Sequence, residues 1–142
     1  MTRHAACSCG QLHLAIEGEP SRNAMCHCLA CQRRTGAVIS NQARYRNDQV
    51  TITGKSSAWQ RTADSGNAMR RRFCPQCGTQ VLVNSAARPQ FTGIRVGTLD
   101  DPESVQPAAT IWTSSAPAWA SIDPSLPRIE KQPPPPAPAP AA

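Results

Sequence analysis

A chain of 142 residues with net charge +6 and only six aromatic side chains has material for one modest core. No apolar run is long enough to cross a bilayer, and the opening MTRHAACSCGQ lacks the apolar stretch of a secretory leader, so a cytoplasmic protein is expected. Arginine supplies 13 of the 15 basic residues, which suits small anions or plain solubility. Six scattered aromatics make a poor stacking platform, so nucleic acid is not the expected partner.

In chain order, Leu12, Leu14 and Ile16 alternate with polar or small neighbours and predict a strand. Leu29 to Arg34 is the one helical turn expected in the first half, ending at Gly36. Val50 and Ile52 alternate with threonines before Gly54, and residues 64–67 (DSGN) predict a turn. Thr79 to Val83, Phe91 to Val96 and Thr110 to Thr113 are further strand candidates, separated by turn signals at 100–102 and 123–124. The segment from Trp112 to Trp119 is expected to pack in the core or cover a strand edge. The last ten residues, PPPPAPAPAA, cannot bury a core. The expectation is an all-β or β-rich folded domain over 1–131, followed by a disordered Pro/Ala-rich tail over 132–142.

Seven cysteines fall in three tight groups: Cys7 and Cys9; Cys26, Cys28 and Cys31; Cys74 and Cys77. An odd number cannot pair fully as disulfides, and a reducing compartment favours metal ligation by such close spacings. Seven divides as four plus three. Cys74-Pro75-Gln76-Cys77-Gly78 has the form of a zinc knuckle, in which two thiolates face one turn and glycine takes the left-handed conformation. Cys7-Ser8-Cys9-Gly10 offers the same two ligands. Joining these pairs closes a four-thiolate site, an arrangement the spacing favours over exchange with the middle group.

Cys26, Cys28 and Cys31 then form a three-thiolate set with one vertex left over. One reading closes it with His27, Ser8, His4 or His13; the other leaves it open to a substrate. His27 lies between two ligands and should point away from an ion they share. Zinc with three thiolates already carries a formal charge of −1, which makes it a poor generator of hydroxide but a good seat for an incoming thiol. Arg33, Arg34, Arg70, Arg71 and Arg72 lie close to these cysteines in sequence and suit the carboxylates of an anionic thiol.

The segments CSCG at 7–10, CHCLACQRRTGA at 26–37 and FCPQCGT at 73–79 resemble the glutathione-dependent formaldehyde-activating enzyme family, also described as a centromere-protein-related zinc domain. VGTLDDPES at 96–104 and IWTSSAPAWASIDPSLP at 111–127 extend the resemblance to about residues 4–127. The chain departs from the family at Thr110, where a histidine is common. The resemblance implies a β-tent of small antiparallel sheets stapled by zinc. It also implies a structural zinc on Cys7, Cys9, Cys74 and Cys77 and a catalytic zinc on Cys26, Cys28 and Cys31. The expected activity is that of a carbon–sulfur lyase, which forms or cleaves S-hydroxymethylglutathione from glutathione and formaldehyde. Two other readings stand beside it: a related enzyme acting on another small thiol, and a non-catalytic zinc-stabilised module that binds protein or nucleic acid.

Overall fold

The computed structural model describes residues 1–133. Eleven strands and one α-helix follow one another among these residues. They are β1 Thr2–Ala6, β2 His13–Glu17, β3 Arg22–Cys26, α1 Leu29–Thr35, β4 Ser40–Arg46, β5 Val50–Thr53 and β6 Ser57–Thr62. After these come β7 Ala68–Phe73, β8 Gln80–Ser85, β9 Phe91–Arg95, β10 Ala109–Ile111 and β11 Arg128–Ile129. The β-rich expectation holds. Of the tail expected at 132–142, all but Gln132 and Pro133 lies outside the described residues.

The chain forms two compact units. Residues 1–24 and 41–108 make the first; residues 25–40 and the described residues from Ala109 to Pro133 make the second. In the first unit β1, β2 and β5 form a small antiparallel sheet, with Ala5 opposite Leu14, Leu14 opposite Ile52, and Ile16 opposite Val50. Those residues sit on one face because side chains alternate along a strand. Ala5, Leu14 and Ile16 are buried. A longer antiparallel run, in the order β4-β9-β8-β7-β6, supplies Ala43, Tyr45, Leu82 and Ile94 to the same core. Val81, Leu82 and Val83 are buried in succession, so β8 is covered on both faces rather than on one. Each fully buried aliphatic side chain of this kind contributes on the order of 1.5–3 kcal/mol.

Cys7 and Cys74 belong to that core as well, at 4% and 0% exposure. The sheet therefore delivers one sulfur from each pair to its interior. Gly54 keeps the end of β5 close to the first cysteine turn: a Cβ there would stand within 1.9 Å of the Gln11 carbonyl oxygen, at a φ of +97°. Only a residue without a side chain fits.

In the second unit α1 begins at Cys28, whose sulfur accepts the Cys31 amide at 3.3 Å, and stops at Gly36. Gly36 takes the left-handed conformation and donates to the Gln32 carbonyl, the usual closure of a helix by glycine. β10 and β11 pair in parallel, with Thr110 opposite Arg128. Trp112, just past β10, is half-buried with φ +56°, the only non-glycine residue with positive φ among those described. Trp119 is 76% exposed, so it is not part of the core.

Candidate metal centres

Two groups of sulfur atoms converge, one in each unit. Within each group every ligand atom lies within 4.8 Å of the others: Cys7, Cys9, Cys74 and Cys77 in the first unit, Cys26, Cys28 and Cys31 in the second. Among the described residues neither group gathers a histidine or a carboxylate. The four-plus-three partition read from the spacing is the partition that the fold makes.

The four-sulfur group is built by two turns that each close on a glycine, one from Cys7 to Gly10 and one from Cys74 to Gly78. Gly10 donates to the Cys7 carbonyl and Gly78 to the Cys74 carbonyl, each at 2.9 Å and each glycine left-handed. The turns are tied together by Ser8, whose amide donates to the Thr79 hydroxyl at 3.1 Å. Sulfur separations are 3.6 Å for Cys7–Cys9 and 3.7 Å for Cys9–Cys74. Four sulfurs at about 2.3 Å from one tetrahedral ion stand roughly 3.8 Å apart, so the geometry fits zinc. Charge on the sulfurs is met by the Leu12 amide on Cys7 at 3.3 Å, the Gln11 side-chain amide on Cys74 at 2.9 Å, and the Gln76 amide on Cys74 at 3.4 Å.

Those contacts sort the thiols even without an ion. The Thr79 hydroxyl, then the amides of Thr79 and Cys9, hold the Cys77 thiol down at about 5. The Gln11 amide pulls Cys9 the other way from its surroundings, but partial desolvation and the adjacent sulfurs prevail and push its thiol up to about 11. Protons are thus shared within the cluster, and a cation is what lets all four sulfurs ionise together.

The three-sulfur group sits at the start of α1. Cys26 ends β3, Cys28 caps the helix, and Cys31 lies one turn on; all three are half-buried. The Cys28 amide donates to Cys26 at 3.5 Å and the Cys31 amide to Cys28 at 3.3 Å, so the chain curls around its own sulfurs. Hydrogen bonds from Cys26 and Cys28, with the Arg34 guanidinium one turn away on the same helix face, hold the Cys31 thiol far below the ordinary range. Cys26 is pushed far above it by sharing protons with Cys28 and Cys31 and by burial. Cys28 is pulled down by Cys26, yet Cys31 and burial raise it overall. This set too favours a cation that relieves the competition for protons.

His27 does not join the three sulfurs. It is fully buried, and its Nδ1 meets the Val38 carbonyl oxygen at 3.0 Å, a contact in which the nitrogen must donate. His13 is exposed with Nδ1 on the Gly10 carbonyl, and the Ser8 hydroxyl pairs with Thr79 at 2.9 Å. His4 is exposed on β1 in the other unit. Of the arginines, Arg33 is exposed, while Arg34 donates to the Ser40 hydroxyl at 3.1 Å. Arg71 is only 7% exposed and Arg72 is held by Ser56, so neither stands open as a carboxylate clamp; Arg70 does.

Sequence reasoning passed over three residues that matter here. Gln11 supports Cys74 and also brackets Lys55, donating to its carbonyl and accepting its amide. Thr79 joins the two cysteine turns. Gln32 donates to the carbonyls of His27 at 2.8 Å and Ser115 at 3.0 Å, fastening α1 to the turn that follows Trp112. Gln11 and Thr79 each directly follow the glycine of a cysteine turn, which is the signal that was there to read.

Among curated proteins none matches the chain. Among solved structures, the crystal structure of a Rhodobacter sphaeroides protein superposes with a TM-score of 0.56 at 20% identity. It covers 71% of this chain and 93% of that one, a likeness of fold alone. The sequence itself reaches further: residues 2–115 match the profile of the glutathione-dependent formaldehyde-activating enzymes, and the chain belongs to that family.

Proposed function

We propose that this protein is a cytoplasmic, zinc-dependent carbon–sulfur lyase that forms and cleaves S-hydroxymethylglutathione from glutathione and formaldehyde. The observation that carries the reading is the unequal ligand count: four sulfurs in one group and three in the other, with no histidine or carboxylate beside the three among the described residues. Family membership supplies the substrates. We assign one zinc to Cys7, Cys9, Cys74 and Cys77 in a structural role, and one to Cys26, Cys28 and Cys31, the catalytic set. At the second site, bound zinc would offer a vertex that keeps a small thiol deprotonated near neutral pH.

The chain's own residues do the rest. Cys26, Cys28 and Cys31 would hold the ion, and the Cys28 cap and the Gln32 contacts brace their backbone. Arg34 offsets negative charge at Cys31. Arg33, exposed beside it on α1, is placed to meet a substrate carboxylate. In the reaction the glutathione sulfur adds to the carbonyl carbon of formaldehyde. The S–H proton passes to water as the sulfur is deprotonated, a C–S bond forms, the C=O π pair moves to oxygen, and that oxygen takes a proton back from water. Cleavage reverses each step. Thiol addition to formaldehyde is easy in water, so the main contribution is orientation and thiolate supply.

The test is exchange NMR on a mixture of glutathione and labelled formaldehyde. Protein should accelerate exchange between free formaldehyde and adduct, and Cys28→Ser should abolish the acceleration. Exchange unchanged by the protein would sink the proposal; acceleration with a different small thiol but not with glutathione would move the reading to a related enzyme of that thiol.

A further inference from the structure

Three arginines of the first unit lie near enough for Arg22 and Arg88 to repel the charge of Arg44, and none of them pairs with a carboxylate among the described residues. Arg22 opens β3, Arg44 lies mid-way along β4, and Arg88 sits in the turn between β8 and β9. The Ser21 amide donates to the Arg44 carbonyl at 2.7 Å, which sets Arg22 beside Arg44. The Phe91 amide donates to the Arg88 carbonyl at 3.1 Å, and the Phe91 ring lies under the Arg44 guanidinium at 4.8 Å. The residue directly opposite Arg44 on β9 is Gly93, and Phe91 lies two residues before it on the same strand.

Arg44 is also held in place. Its Nε donates to the Ser21 hydroxyl at 3.2 Å, and that hydroxyl donates back to the Arg44 carbonyl at 3.0 Å. Fixed at Nε and stacked on a ring, the guanidinium keeps its two Nη groups turned away from any protein acceptor among the described residues. All three arginines are half-buried, and none of the three joins an ion pair among the described residues. Burial, then the charges of Arg88 and Arg22, depress the Arg44 pKa. Gathering like charges in a partly desolvated place is unfavourable unless an anion completes it.

We propose that Arg22, Arg44 and Arg88 form an anion site for a phosphate group, with the fixed Arg44 fork donating to two oxygens and the flanking arginines supplying charge. A planar fork matches a tetrahedral oxyanion in a way that a lysine ammonium does not. The site is independent of the cysteine clusters and of the reaction proposed for them.

The probe is inorganic phosphate, titrated into labelled protein against chloride at matched ionic strength and followed by amide shifts. Saturable shifts at residues 21–22, 44 and 88 are expected. Binding should weaken about tenfold in Arg88→Met and in Arg44→Lys, which keeps charge but loses the fork, and vanish in Arg44→Met. Glycerol phosphate in parallel tells free from esterified phosphate, since tighter binding of the ester selects the latter. Non-saturating shifts equal to those of chloride, an adventitious ion only, would overturn the proposal. So would Arg44→Lys binding like the wild type, or saturable binding of a single-stranded oligonucleotide when phosphate itself has no effect. Folding of each variant is read from its own amide spectrum, and Arg88→Met, in a turn, tests the site even if an Arg44 variant unfolds.

Discussion

Replacing one sulfur in each cluster should have very unequal consequences for stability. Cys74 is fully buried in the core of the first unit and accepts two hydrogen bonds, from Gln11 and Gln76. A structural zinc site contributes roughly 10–16 kcal/mol of binding, so an even share for one of four sulfurs is about 2.5–4 kcal/mol. That is a large part of the ~5–15 kcal/mol by which a domain is normally stable. At about 4 °C per kcal/mol for a chain of this size, Cys74→Ser should lower the melting temperature by roughly 10–16 °C, or prevent folding. Cys28 is half-buried and caps α1, a position where serine is itself favoured. Cys28→Ser should therefore change stability by less than ~1 kcal/mol, or under ~4 °C, while removing the metal of the second unit. Calorimetry combined with metal content on the purified variants gives both quantities. Equal losses of melting temperature in the two variants, or a Cys74→Ser protein that keeps both metals, would refute the assignment of one structural and one catalytic site.

The backbone approach at Gly54 gives a further test: Gly54→Ala drives a Cβ into the Gln11 carbonyl at positive φ and should cost about 1–3 kcal/mol, read as a lower urea midpoint. In metal-free protein at pH 6.5, Cys77, with its pKa near 5, should be alkylated by iodoacetamide well before Cys9, whose thiol stays protonated until about pH 11; peptide mapping by mass spectrometry decides, and equal rates would contradict the hydrogen-bond pattern. Gln32→Ala removes the tie from α1 to the Ser115 carbonyl, and should raise KM for the thiol more than it lowers thermal stability, measured on the same preparation.

The parts of the molecule legible in the sequence are those set by local chemistry. α1 was readable because Gly36 closes it, and the Leu14–Ile16 strand because alternation there reflects a one-sided sheet. The metal clusters were readable because ligand spacing is a short-range constraint. The strand expected at Thr79 to Val83 begins one residue before β8 and ends two residues before its close: Val81, Leu82 and Val83 are buried together, and a strand covered on both faces has no alternation to mark its limits. β6 and β7 carry Trp59 exposed and three consecutive arginines, so their pairing rests on hairpin register rather than on an apolar pattern. β1 was passed over because Arg3 occupies a core-facing position, its guanidinium satisfied by Gly18, Glu19 and Ser104. The turn after Trp112 depends on a left-handed tryptophan, which nothing local in the sequence announces.

The account rests on the three-sulfur cluster accepting a sulfur that the protein does not supply. The most direct measurement uses the selenol analogue of glutathione bound to the zinc-loaded protein, with X-ray absorption recorded at the selenium edge. A zinc neighbour bonded to selenium, lost in Cys28→Ser but kept in a variant with an intact cluster, is the predicted result. Selenium surrounded only by light atoms, with both zinc ions still present, would contradict it.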